Sequence, residues 1–421
     1  MLKGTVNTFR ARRNVCDLGR DRMRYLKAAL PNGLLVLASL AFVVLAVLVA
    51  DRLLGRFLPP PPIPSDGLVF WPHAERNFDT LTFKYKEVAN GIGLRDHEVT
   101  LGRSERYRIL ALGDSFTYGW GVELEQTWVK LLEKELGARG HDVEIVNAGA
   151  PGASPSRYVE IASVAIPNLK PDLVLVAVLQ GEDFMQCDEL ITESPLERFL
   201  PGLLRLRDYG SSLWYDGFGT DPAPESEPLT AEQHGAWWAE VAVEVYENMT
   251  PEARERFEGL EDGVKKAFFS GDLNPWTLGG SVGVPDFFLR AANMDYPGFQ
   301  KSFDEMTISV RRLGRLARMY GAKILVVSVP HGAYCNAEAN RNLRRLGYDT
   351  PPELLDSEVP DRTIQLVCHR AGVPFRSVEH AVREHRDTPG LYFALDPHFS
   401  AEGNKLYAGL LRPLIEEIMA R

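Results

Sequence analysis

The chain has 421 residues, 45% of them hydrophobic and 25% charged, and carries a formal charge of −10 at pH 7. The length allows two or three average domains, and the acidic balance argues against a nucleic-acid partner. Four cysteines are few for a disulfide-built scaffold, so the core must stabilise itself by burial.

Residues 33–50, "GLLVLASLAFVVLAVLVA", run eighteen positions without a charge. As a helix rising ~1.5 Å per residue this stretch reaches ~27 Å, about one hydrocarbon thickness, which predicts a transmembrane anchor. The leader before it, residues 1–32, holds Lys3, Arg10, Arg12, Arg13, Arg20, Arg22, Arg24 and Lys27 against Asp17 and Asp21, a net of +6. A basic flank of this kind stays in the cytoplasm, so the remaining −16 lies across the membrane. The alternative is a signal peptide cleaved after Ala50, which the bulky Leu48 and the long charged leader disfavour. Residues 51–64 include "LPPPPIP" and predict a stiff polyproline spacer.

Residues 65–106 alternate apolar and polar side chains around Asn90 and Gly91, which predicts a small β-hairpin element. From residue 107 the pattern changes. "RILALG", "VEIVNAG", "DLVLVAVLQ", "KILVVSVP" and "VPFRSV" are continuous apolar runs, as expected of strands covered on both faces. Between them lie the helical patterns "TWVKLLEKEL", "SRYVEIASVAI", Phe303 to Tyr320, and "RTIQLVCHR". The alternation predicts an α/β fold with a parallel sheet, its first half over 107–184 and its second over 301–421. Residues 185–300 are too long for a structureless loop and predict a mostly helical cap. Trp214, Trp237, Trp238 and Trp276 of this cap either pack its own core or stack on sugar rings.

In a parallel sheet, reactive groups gather at the carboxyl ends of the strands. The first strand runs into "ALGDSFTYGWG", which puts Ser115 in a tight turn with its hydroxyl exposed. The second runs into "NAGAPGAS", where Gly149 and Gly152 let the backbone approach a ligand, and the third into Gly181, Glu182 and Asp183. Near the end stands "LDPHFSAEGN", with Asp396 two places before His398; a bland reading makes Asp396 the N-cap of a last helix. Cys187 and Cys335 each follow a predicted strand by a few residues and are a candidate disulfide, with three free thiols including Cys368 as the alternative. Histidine spacing argues no metal site. With no phosphate loop or Rossmann spacing present, no cofactor is implied.

The "GDSFT" turn, the N-x-G-x-x-G turn, the Gly-x-Asp turn and the late Asp-x-His block stand in one order and in the predicted contexts. This set resembles the SGNH (GDSL-type) hydrolase superfamily, over about residues 105–190 and 300–421. The resemblance implies a three-layer, flavodoxin-like, five-stranded α/β/α fold, here with the cap inserted and an N-terminal transmembrane helix. The leader, the span and "NGIGLRDHE" look like a membrane-anchored bacterial branch, held in the inner membrane with its catalytic domain periplasmic or extracellular. Many such proteins act on acyl groups of envelope glycans.

Carried over by position, Ser115 is the expected nucleophile, His398 its base, and Asp396 the residue that orients the imidazole. The expected oxyanion hole is the N–H of Ser115, the N–H of Gly152 and a side chain at the third strand. There the family's asparagine is replaced by Glu182, which when ionised would oppose the oxyanion and when protonated could donate to it. Asp114, Asp183 and His331 are expected to touch substrate, and Arg95 and Tyr118 are weaker candidates. The implied function is an esterase that removes an acyl group, acetyl first, from an envelope or exported polysaccharide. An O-acetyltransferase with the same residues, or a glycan-binding protein impaired by Glu182, are the rival expectations.

Overall fold

The computed structural model describes residues 34–51, 53, 59–187 and 230–420. The leader, most of residues 52–58 and the first part of the cap, 188–229, lie outside the described residues. Two compact units are distinguished, one of Met1–Pro59 with Glu193–Ser211 and the other of Pro60–Thr192 with Ser212–Arg421. In the first, Leu34–Asp51 forms one helix with a mean hydropathy of 2.8, long and apolar enough to cross a membrane.

In the second unit, strands β3 (Tyr107–Gly113), β4 (Val143–Gly149), β5 (Leu173–Leu179), β6 (Lys323–Val329) and β7 (Phe375–Arg376) form a five-stranded sheet of order β4-β3-β5-β6-β7. Every neighbouring pair is parallel. All seven residues of β5 are buried, as a central strand with helices on both faces requires. Burying one such side chain contributes about 1.5–3 kcal/mol.

The strands' alternation sorts the core into two layers. Leu110, Leu112, Val174, Val176 and Val326 point to one face, where α2 (Pro155–Leu169), α5 (Phe299–Met319) and α6 (Val359–Ala371) cover them. Ile109, Ala111, Leu173, Leu175 and Val327 point to the other, under α1 (Trp128–Ala138) and α7 (Ala401–Met419). The fold is thus the expected three-layer α/β/α arrangement. Strand order reverses about β3, which places the end of β3 at the switch point where open α/β sheets bind ligands.

The hairpin lies elsewhere than expected. Its strands are β1 (Glu75–Asp79) and β2 (Lys84–Val88), antiparallel, with the turn at Thr80–Phe83. Thr80 closes that turn by accepting the Thr82 and Phe83 N–H groups on its hydroxyl. Asn90 organises the following loop instead: its side-chain oxygen accepts the N–H of Ile92 and of Leu94. The end of the proline segment does not stand off the domain, because Ile63 packs on the core and Asn168 Nδ2 donates to the Pro61 carbonyl at 2.8 Å.

Beyond that loop, Arg95 and Asp96 lock this segment under the sheet. Arg95 is buried at 1% exposure, and its guanidinium donates to the carbonyls of Tyr118, Gly119, Lys86 and Val122. Asp96 accepts the Asn147 N–H at 2.7 Å and pairs with Lys130 at 2.6 Å. The described part of the cap is helical throughout, from α3 (Ala231–Glu247) to α4 (Pro275–Gly283) and Phe287–Ala291. Its small core is built on Ala242, Phe257, Phe268, Leu278 and Val282.

Arg95→Leu leaves those carbonyls without a donor, so unfolding in urea should show a loss of about 3 kcal/mol or more. Arg95→Lys should recover only a minor part of it, since an ammonium cannot span the same fork of acceptors.

Candidate active site

The end of β3 carries the first reactive group. Asp114 caps a one-turn helix, Ser115–Tyr118, by accepting the Phe116 N–H on Oδ1 at 3.0 Å. Ser115 is therefore the first helical residue, and its N–H has no partner within the helix. Gly149, at the end of β4, does not face a ligand as expected. A Cβ there would stand 2.1 Å from the Tyr118 nitrogen, so the glycine lets β4 pass directly beneath the Ser115 turn. Gly152 has φ +70 and open space where a Cβ would project, which leaves its peptide free to line the cleft.

The second and third groups come from the loop before α7. This loop is closed by an antiparallel bridge between Tyr392 and Phe399 and by the Phe393 N–H donating to the His398 carbonyl at 3.1 Å. The residue that caps α7 is Ser400, which accepts the Gly403 N–H, and this frees Asp396 from the capping role. Asp396 Oδ1 instead lies 2.5 Å from His398 Nδ1, and His398 Nε2 lies 2.6 Å from Ser115 Oγ. Asp396 also accepts the His398 N–H at 3.0 Å, which fixes the acid and the ring to one another.

Burial lowers the basicity of His398, but the charge and hydrogen bond of Asp396, with the carboxyls of Glu182 and Asp114, hold its pKa above the ordinary 6.5. Burial in turn raises Glu182, opposed by His398 and reinforced by Asp396. Asp114 is pushed up to about 7 by burial and by Glu182. Glu182 is half-buried, accepts from Gln186 Nε2 at 3.1 Å, and faces the same cleft as Ser115, Gly152 and His398. The row can move a proton from a hydroxyl to an imidazole whose other nitrogen is held by a carboxylate.

With this geometry in view, residues 111–178 match the sequence model of the GDSL-like lipase/acylhydrolase family. That stretch runs from within β3 into the end of β5 and includes Ser115 and Gly152. Esterase TesA of Pseudomonas aeruginosa is 33% identical over 75 residues, which cover 18% of this chain and 37% of the relative. The chain thus spans little more than a third of that curated relative's length. Among solved structures, TesA is 14% identical with a TM-score of 0.33, covering 73% of this chain and 99% of the other. A lipase/acylhydrolase from Enterococcus faecalis is 14% identical with a TM-score of 0.34, covering 74% and 95%.

Other expectations for the GDSL-like core are corrected by burial. Asp114, Asp183 and His331 do not line the cleft. Asp183 is fully buried, accepting from Tyr158 Oη at 2.9 Å and from the Leu179 N–H at 2.9 Å, so it braces the turn after β5. His331 is fully buried against Phe288, its Nδ1 accepts the Ala333 N–H, and burial and His398 hold its pKa down to about 3. Arg95 and Tyr118 are buried in the hairpin contact and stay out of the cleft. Cys187 and Cys335 are not joined to one another as a disulfide. Each thiol donates one turn back, Cys187 to the Asp183 carbonyl and Cys335 to that of His331.

The cleft of the GDSL-like core encloses about 1010 Å³. Its wall includes residues that motif reading did not reach: Arg76 and Glu87 from the hairpin, Trp120, Arg157 and Glu160 from the core, and His234 and Asn274 from the cap. Trp120 stands five places after Ser115 and its ring lies 5.9 Å from that of His398. The glycines on either side of Trp120 in "TYGWG" were the available signal that this aromatic, half-buried here, sits on a turn.

Asp114→Asn tests the charge crowding, because asparagine keeps the oxygen that caps Phe116 and cannot ionise. A carboxyl whose folded pKa is raised contributes its stability below the unfolded value near ~3.9 and loses it as pH rises through about 7. Thermal melts should therefore show the variant gaining on the wild type from pH 4 to pH 8; a constant difference across that range would remove the crowding.

Proposed function

We propose that the chain is a membrane-tethered serine ester hydrolase that removes acyl groups, acetyl first, from an envelope or exported polysaccharide. The observation that carries the reading is the unbroken hydrogen-bonded row Ser115–His398–Asp396, with spacings of 2.6 and 2.5 Å. In the resting state Nδ1–H of His398 donates to Asp396, leaving Nε2 as acceptor for the Ser115 hydroxyl. Ser115 Oγ attacks the ester carbonyl carbon and its proton passes to Nε2. The oxyanion that forms is received by the N–H groups of Ser115 and Gly152. Collapse breaks the bond to the leaving oxygen, which takes the proton from His398. Water, deprotonated by the same imidazole, then attacks the acyl-serine, and Ser115 recovers its proton as the carboxylic acid leaves.

Glu182 decides the third donor. Burial favours its neutral form, and a neutral carboxyl can donate to the oxyanion where a carboxylate would repel it. The same residue supports the second reading, a glycan-binding protein with little turnover, if it is ionised at working pH. The tether rests on the helix Leu34–Asp51 and on the basic residues that precede it. With that flank in the cytoplasm the GDSL-like core lies on the far side of the bilayer.

Ser115→Ala should reduce hydrolysis of p-nitrophenyl acetate by at least about a thousandfold and abolish labelling by a fluorophosphonate probe; equal turnover by variant and wild type would sink the hydrolase reading. The pH dependence of kcat/KM separates the other two groups. Activity should rise as His398 loses its proton, with a midpoint above 6.5. Glu182→Asn removes one of the carboxyls that hold that pKa up, so the midpoint should move to lower pH; an unmoved midpoint would take Glu182 away from the imidazole.

A further inference from the structure

The cleft that holds Ser115 is larger than an acyl group needs. At about 1010 Å³ it sits at the upper end of the roughly 300–1,000 Å³ that holds ligands of several rings. Part of its wall comes from the cap. Trp237, on α3, and Trp276, at the start of α4, are 40% and 51% exposed. Their ring centroids lie 5.5 Å apart at 59° to one another. Neither belongs to the cap's own core, which is built from Phe257, Phe268 and their neighbours. Large aromatics left open in a concave wall, where each could have been buried, mark a ligand surface.

A line of ring contacts connects this pair to the reacting groups. From Trp237 it passes to His234 at 5.6 Å, to Trp238 at 4.6 Å, to Trp120 at 6.3 Å in a stacked arrangement, and to His398 at 5.9 Å. The pair and the Ser115 hydroxyl therefore open into one continuous cleft. The rest of its wall is mixed: Ser156, Arg157, Glu160, Gln186, Asn274 and Thr277 face the same space as Val69, Val284 and Phe287. A long acyl chain laid along it would strip water from those groups without replacing their hydrogen bonds, which is costly. A pyranose has both kinds of surface, a C–H face that lies on an aromatic ring and equatorial hydroxyls that reach polar side chains.

On this basis, and resting on the ester-hydrolase reading above, we propose that Trp237 and Trp276 form a stacking platform for one sugar ring of an acylated glycan. The ring on the platform is not the one that carries the ester at Ser115. The enzyme accordingly acts on a chain of sugars rather than on an acylated monosaccharide or a lipid, and the platform is what selects it.

The test uses the full chain, with p-nitrophenyl acetate, p-nitrophenyl palmitate and a panel of chemically O-acetylated mono- and tetrasaccharides of glucose, mannose and xylose. The wild type should give its highest kcat/KM on an acetylated tetrasaccharide. In Trp237→Ala/Trp276→Ala, the ratio of tetrasaccharide to p-nitrophenyl acetate kcat/KM should fall about tenfold or more, through KM. Trp237→Tyr/Trp276→Tyr, which keeps an aromatic face at each position, should restore most of that ratio. An unchanged ratio, a fall carried by kcat alone, a preference for palmitate, or equal rates on mono- and tetrasaccharide would each overturn the platform while leaving the hydrolase reading intact. Absence of Ser115-dependent turnover on every ester would instead overturn the hydrolase reading, and the platform with it.

Discussion

The hydrogen bond from Ser115 Oγ to His398 Nε2 joins positions 283 residues apart, and most of the architecture around it serves to hold that gap closed. On one side, β3 ends in a capped turn that Gly149 allows to lie tight against β4. On the other, α7 packs along α1, and Asn404 at its start accepts the Trp128 N–H at 2.9 Å. Helix-to-helix burial thus delivers the late loop to the end of the first strand, and the Tyr392–Phe399 bridge sets its last few ångströms. Displacing such a pair by about an ångström costs roughly a hundredfold in rate, which is why so much rigid structure surrounds so small a contact.

The same geometry concentrates charge. Asp114, Glu182 and Asp396 act on a single imidazole, Asp183 interacts with the first two, and burial raises Asp114, Glu182 and Asp183. Crowded acids destabilise a folded chain, and groups perturbed in this way cluster at sites of chemistry. The opposing contribution comes from beneath the turn. There Arg95 binds the backbone on both sides of the hairpin contact, while Asp96 ties the same segment to β4 and Lys130. The segment before the first core strand is a brace for the Ser115 turn as well as an entry to the fold.

The hydrogen-bonded row and the wall in front of it come from different parts of the chain. The row of serine, histidine and aspartate belongs to the sheet, but the space in front of it is bounded by the hairpin and the cap. Trp238 illustrates the join: it leaves the cap's core and packs with Phe78, Phe83, Tyr85 and Tyr118 of the hairpin and first turn. Among the described residues the cap's aromatic rings reach the His398 imidazole indirectly, from Trp238 through Trp120 and from Phe288 through His331 and Phe116.

The sequence by itself determined the sheet and the places of Ser115, Asp396 and His398 at the ends of its elements. Continuous apolar strands admit only a sheet covered on both faces, and a serine, an acid and a histidine at strand and helix ends have few other uses in combination. Local signals of this kind depend on a handful of neighbours. Tertiary structure alone decided where the hairpin turns, because Thr80 and Asn90 are both competent turn residues and only packing against β4 and the Ser115 turn chooses between them. It also decided that Asp183 and His331 brace the fold and do not meet the cleft, that Cys187 and Cys335 stay apart, and that Ser400 rather than Asp396 caps the last helix. Each of those outcomes is a matter of which polar group is buried next to which partner. That depends on side chains far away in the chain, and no periodicity or motif records it.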